Sequence, residues 1–131
     1  MKDHFRIIKD HLKKLHFEIA QEDAKQGIMI IKKDEEAIHN LVLGINEPLL
    51  IFEQYLFKIV KDHELIYKNL LIKNRDILHG AFALDRSGQK VIFRDTLQLE
   101  NLDLNELEGT LNALSLLLSE YQDKISEFSK H

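Results

Sequence analysis

The segment Leu104–Phe128, LNELEGTLNALSLLLSEYQDKISEF, decides how this chain is read. Leu104, Leu107, Leu111, Leu114, Leu118, Tyr121, Ile125 and Phe128 recur at alternating steps of three and four, the spacing of one apolar seam on an α-helix. The same spacing fits the a and d positions of a coiled coil. The flanking positions argue against a free two-stranded coil: Asp103, Thr110, Leu117 and Lys124 on one side, Glu108, Ser115 and Gln122 on the other, lack paired opposite charges. Gly109 lies inside the helix at a cost of about 1 kcal/mol relative to alanine. The seam therefore reads as a long helix laid along a sheet. Asp103 and Glu106 form a capping-box-like pair at its start. Leu116 sits nearly opposite the seam, which points to a second apolar contact.

Upstream, Gly80–Leu84 and Val91–Leu97 flank Asp85-Arg86-Ser87-Gly88 and read as a β-hairpin whose turn ends on a glycine able to take positive φ. Before it, a helix is expected to start after Asp62. Asp62 and Glu64 lie in its first turn, Lys68, Lys73 and Arg75 gather toward its end, and Leu65, Ile66, Leu70 and Leu71 supply its apolar face. Residues 17–59 carry β-type runs: Ile28–Ile31, ended by the charged turn Lys32–Glu36, then Ile38–Ile45 and Leu49–Ile59 around Asn46-Glu47-Pro48. Phe17–Ala20 reads as a short additional first strand. In the last run Leu49, Ile51, Tyr55, Phe57 and Ile59 fall on one face by period-two alternation. Pro48 stands at a strand start, where its missing donor does least harm. Helix one spans about Asp3 to Phe17, with Phe5, Ile8, Leu12 and Leu15 as its stripe, Ile7 widening it and Asp3 as N-cap. The order α–βββ(β)–α–ββ–α gives an α+β fold: an antiparallel sheet of five or six strands with helices packed on it.

At 131 residues the chain is one domain, 44% hydrophobic and 31% charged. Such a domain buries roughly 65–70% of its unfolded-chain surface and needs no metal or disulfide to hold a core. The absence of cysteine excludes a disulfide scaffold, a thiolate zinc site, an iron–sulfur cluster and a cysteine nucleophile. A net charge of −4 is a poor match for nucleic acid, so no nucleic-acid partner is expected. The charge is uneven. Residues 97–131 hold two cations against seven anions, whereas the N-terminal helix carries Lys2, Arg6, Lys9, Lys13 and Lys14 against Asp3 and Asp10. Solvated helix faces account for this, and the sharper reading is peripheral contact of the basic helix with anionic lipid or an acidic partner. Asp3, Arg6, Lys9 and Asp10 interrupt any signal-peptide core, and runs such as 48–52 stay far short of a membrane span. The cytoplasm is the expected compartment.

Catalytic motifs do not emerge. His4 and His11 are seven apart on one helix, about 10 Å along its axis, too far to share one ion unaided. His63 and His79 flank helix two and meet only through tertiary structure. Asp103-Leu104-Asn105 lacks the turn glycine of a calcium loop. Gly27, Gly44, Gly80, Gly88 and Gly109 never cluster into a phosphate loop, no Gly-x-Ser-x-Gly elbow exists, and Glu35-Glu36 lies in a charged turn. No cofactor and no metal are expected. Asn74-Arg75-Asp76 and Arg94-Asp95 are the only polar groups embedded between apolar runs. Hydrogen bonding of the helix-two exit to the hairpin explains them better than a site does.

Leu70-Leu71-Ile72-Lys73-Asn74, Gly80-Ala81-Phe82-Ala83-Leu84-Asp85, Val91-Ile92-Phe93-Arg94 and the Leu104–Tyr121 helix together resemble the bacterial YbjN-like group, which shares the fold of type III secretion chaperones. The resemblance covers roughly residues 49–128, and the N-terminal third agrees in element order. It implies a homodimeric α+β protein that binds other proteins, and it brings no catalytic residues with it.

Two functions follow from these readings. The first is a non-enzymatic, chaperone-like or regulatory protein-binding homodimer. Its interface candidates are Ala113, Leu116 and Leu117 beyond the helix-three seam, with Phe52 and Leu56 (beside Leu50) on the strand face opposite the main apolar set. The second is a small-ligand-binding or enzymatic domain with a site around Asn74, Arg75, Arg94 and His79. A deep pocket at those residues favours the second; a flat apolar groove or exposed sheet favours the first.

Overall fold

The computed structural model describes the backbone of residues 2–60 and 64–130, and the side chains among them up to Gln122. Asp62 and His63, together with Lys124 and the seam positions Ile125 and Phe128 as side chains, lie outside the described residues. In chain order the elements are α1 (His4–Lys14), β1 (Glu18–Asp23), β2 (Ile28–Lys33), a 3-10 turn (Asp34–Glu36), β3 (Ile38–Asn46), β4 (Leu49–Lys58), α2 (Glu64–Asn74), β5 (Ala81–Leu84), β6 (Lys90–Gln98) and α3 (Leu104–Lys130). The strands form one six-stranded sheet ordered β1-β2-β3-β4-β6-β5, antiparallel at every pairing.

One face of this sheet is the floor of the core. Met29 pairs with Leu43, and Leu43 with Phe52, so a single cross-strand row runs through β2, β3 and β4. Over it lie Ile8 and Leu12 of α1 and Leu107 and Leu111 of α3, and none of these seven side chains is more than 2% exposed. Each such burial contributes on the order of 1.5–3 kcal/mol, which makes the helix-on-sheet contact the main source of stability. The seam is observed as expected over the described residues: Leu107, Leu111 and Leu114 are buried, and Leu104, Leu118 and Tyr121 pack at its ends.

Two expectations about faces are corrected. The first concerns β4. Its pairing with β6 slips by one residue between Tyr55 and Phe57, a β-bulge that hands the core face from one parity to the other. Leu50, Phe52, Gln54 and Phe57 are therefore the buried set, while Leu49 and Ile51 lie on the other face and Tyr55 is 50% exposed. The second concerns α2. Leu65-Ile66 and Leu70-Leu71 cannot all face one core, because neighbours in sequence point about 100° apart around a helix. Ile66 is buried and Leu70 packs beside it, whereas Leu65 and Leu71 are 66% and 69% exposed.

Helix ends are held by local chemistry. Asp3 accepts the backbone N–H of Arg6 at 3.2 Å, and Asp103 accepts that of Glu106 at 2.8 Å, so both expected N-caps form. At the C-terminus of α1, His16 takes φ +67°, its N–H bonds Lys13 O, and the Phe17 N–H bonds Leu12 O. This is a Schellman closure with histidine in the left-handed position that usually goes to glycine. Lys33 Nζ reinforces it from β2, donating to Leu15 O at 2.8 Å. Ser115 Oγ donates to Glu36 O at 2.7 Å and ties α3 to the 3-10 turn.

Two predictions follow from the hairpin. Gly80 enters β5 at φ +81°, and a Cβ there would stand 2.5 Å from Phe93 Cζ and 2.9 Å from Arg94 O. Gly80→Ala is expected to lower unfolding stability by about 2–3 kcal/mol in urea titration, and an unchanged midpoint would refute the packing argument. In the turn, the Ser87 hydroxyl donates to Asp85 Oδ1 at 2.6 Å and the Lys90 N–H at 3.2 Å. These hydrogen bonds, that of Ser87 foremost, hold the Asp85 carboxyl below its ordinary value. A depressed carboxylate stabilises the fold at every pH above its unfolded value and loses that contribution as pH falls through the lower folded value. Below about pH 4 the wild type should therefore lose stability more steeply than Asp85→Asn. Equal slopes for the two proteins would remove Asp85 from the explanation.

Candidate protein-binding surfaces

The polar residues considered for a small-molecule site are not brought together. Asn74, at the last turn of α2, donates from Nδ2 to Phe82 O at 3.1 Å and accepts the Phe82 N–H on Oδ1 at 2.8 Å. This is the expected tie between the helix-two exit and the hairpin. Arg75 is exposed. Arg94 lies on the sheet face away from the helices, opposite Glu53 in register, and its Nε stands 3.4 Å from Glu53 Oε1. His79 belongs to the other side, at the rim of a shallow cleft between α3 and the sheet that Phe52, Phe93, Asp95, Thr110 and Leu114 also line. The parity of β6 therefore separates Arg94 from His79, and the cleft has room for about one water molecule. Asp95 accepts the neighbouring Thr96 N–H at 2.8 Å. Among the described residues no three His, Asp or Glu side chains are placed to hold a metal ion.

The interface candidates divide by exposure. Phe52 and Leu117 are 2% and 8% exposed within the single chain. The bulge in β4 and the cover of α3 put Phe52 in the core, and Leu117 borders the seam, so neither side chain is available to a partner. Leu56 is partly buried and packs against the core. Ala113 and Leu116 are exposed, Leu116 at 64%.

Larger apolar surface lies where the sequence reading did not place it. On α2, Leu65 and Ile72 are seven residues apart and share the outer side, with Leu71 beside them; in the following loop Leu78 is 92% exposed. Ile66, Tyr67 and Leu70 face the core, so α2 is apolar on both sides. The signal was present in the sequence as two adjacent leucine–isoleucine pairs, which no single helix face can bury. The second surface is the sheet face away from the helices. Ile28 and Ile51 flank Gly44 in one row, and Ile30 and Val42 run beside Glu53 and Arg94 in the next. These isoleucines and Val42 are partly exposed and stand outside the core cluster. The basic side of α1 is also open at Lys2, Arg6, Lys13 and Lys14, while Lys9 is held by Glu22 at 2.9 Å. No described helix is long and apolar enough to cross a membrane.

Several solved structures share this architecture. A chain of the ExsC–ExsE complex is 20% identical, with 91% of this chain and 90% of that one covered and a TM-score of 0.68. YbjN from E. coli is 8% identical, covered at 91% on both sides, with a TM-score of 0.67. The type III secretion chaperone SycH of Yersinia pestis is 20% identical, over 96% of this chain and 99% of that one, with a TM-score of 0.60. At such identities the likeness is one of fold. No curated protein matches the chain. The model of the CesT_Tir_1 family, by contrast, matches residues 1–131, in agreement with the resemblance carried by the hairpin and the long helix. The chain belongs to the CesT_Tir_1 family, a family of type III chaperones.

Proposed function

We propose that the chain is a non-enzymatic, chaperone-like protein-binding module that works as a homodimer in the cytoplasm. The observation that carries this reading is apolar surface in excess of what one core absorbs, on the outer side of α2 and on the open sheet face. A helix with apolar side chains on two sides, like a sheet apolar on both faces, normally has a packing partner on each. Contiguous apolar surface of that kind marks protein contact rather than chemistry. Among the similar structures, SycH is seen with a fragment of YscM2, and another is the HopA1–SchA chaperone–effector complex, which supports a protein client here. The polar residues that a catalytic reading would need, Asn74 and Arg94, have structural partners instead.

The exposed Leu65, Leu71 and Ile72 of α2, with Leu78 in the loop after it, support a dimer contact built on α2, with Ala113 and Leu116 of α3 as the alternative. Light scattering should give twice the chain mass of 15.4 kDa. The double variant Leu65→Glu/Ile72→Glu should return the monomer mass with its circular dichroism intact. If Leu116→Glu separates the protomers and the α2 variant does not, the interface belongs to α3. A strict monomer at 100 µM would sink the homodimer, since micromolar pairing requires only about 8 kcal/mol.

A further inference from the structure

A six-stranded open sheet has two edges, here β1 and β5, and each edge is a row of backbone donors and acceptors that another strand could use. The two edges are defended differently. β1 carries Glu18, Glu22 and Asp23 on six residues, and its pairing with β2 is broken by a bulge between Ile19 and Gln21. Like charge and a bulge both discourage an added strand. β5 reads Ala81-Phe82-Ala83-Leu84 and has neither charge nor proline, with Leu84 43% exposed. By its own composition it is an open template.

Among the described residues, the side chain that hydrogen-bonds to that edge at Phe82 is Asn74. Asn74 gives its amide N–H to Phe82 O at 3.1 Å and takes the Phe82 N–H on its amide oxygen at 2.8 Å. A carboxamide has the same donor and acceptor as a peptide group, and this reciprocal pair is the pattern that a residue of a neighbouring antiparallel strand would make. The Asn74 amide is held in register by its surroundings. Lys73 lies over the Tyr121 ring at 5.6 Å, and the Phe82 ring stands edge-on to Tyr121 and Phe93 at 6.0 and 5.8 Å. Gly80 fits beneath Phe93, where no larger residue has room.

We propose that Asn74 is an edge guard: it closes β5 against antiparallel addition of the β5 strand of a second copy of this chain. A second copy is the occupant because Ala-Phe-Ala-Leu opposes no charge to itself across a two-fold axis, whereas two β1 strands would set acid against acid. The guard is argued from the β5 edge and does not rest on the α2 dimer; its loss adds a contact at that edge.

The test compares wild type with Asn74→Ala and with the nearly isosteric Asn74→Leu in the full chain, by light scattering and hydrogen exchange. Both variants should show at least about a twofold higher mass than wild type at equal concentration, one further two-fold contact being opened. That mass should rise with concentration, and the backbone amides of Phe82 and Leu84 should be protected in the assembled fraction. Adding Ala83→Lys to either variant should restore the wild-type mass, because a charged edge strand resists pairing. Folded variants that keep the wild-type mass at 100 µM overturn the guard. So do assemblies whose β5 amides exchange freely, and so does loss of folding in both variants, which would make Asn74 a pillar of the fold. Wild-type mass serves as the reference whether it is that of a monomer or a dimer, so failure of the homodimer reading and failure of the guard are told apart.

Discussion

The burial of one sheet face under α1 and α3 is the constraint on which the rest of this molecule depends. Once Met29, Leu43 and Phe52 form a continuous floor, both helices must lie on that side, and their ends must be tied where the floor stops. Lys33 makes such a tie at the C-terminal end of α1 through the Leu15 carbonyl, and Ser115, midway along α3, ties that helix to the Glu36 carbonyl just past the exit of β2. Gln54 does the same between β3 and β4. It is a buried amide on the core face whose Nε2 reaches His39 O and Tyr55 O, both at 3.0 Å, beside the bulge. Polar groups appear in this core where backbone pairing is interrupted, and there they replace ladder bonds that geometry has removed.

Much of the architecture was legible because it is written in local periodicity and caps. The helix-three seam, the Asp3 and Asp103 caps, the Asp85–Gly88 turn and the element order all depend on residues within a few positions of one another. The two features that differ from the local reading have different causes, one long-range and one local. The β4 alternation fails because a bulge, visible only against β6, exchanges its two faces. The α2 face fails locally: Leu65-Ile66 and Leu70-Leu71 are sequence neighbours that one side of a helix cannot hold, and of the four only Ile66 is buried. Asn74 lies between these cases: its polar character within an apolar stretch announced a hydrogen-bonding task, while its partner, eight residues on, emerged only from the packing of α2 against β5.

The functional surface was harder to read for a related reason. Catalysis leaves a chemical mark in sequence, since particular residue types must recur at set spacings, whereas binding of this kind is a remainder: the apolar surface left over after the core is filled. Phe52 and Leu116 look alike as apolar residues placed off the expected face, yet one is 2% and the other 64% exposed. Likewise Arg94 and Asp95 are adjacent in sequence but belong to opposite faces of the sheet, and this places Arg94 on the side away from His79.

The modest anchorage of α2 has a thermodynamic consequence. α1 is strapped along its length by its caps, by Lys33 and by Lys9, whereas α2 buries Ile66 alone, with Tyr67 and Leu70 packed beside it, Lys73 over the Tyr121 ring and the Asn74 amide at its exit. A helix with few buried side chains opens locally at low free energy. A ligand that binds only the closed form shifts that opening by mass action, so occupancy of the outer side of α2 and the lifetime of its docked state become a single linked quantity. Partner concentration would then regulate how often the far edge of the sheet is laid bare, with no conformational switch needed beyond the fraying of one helix.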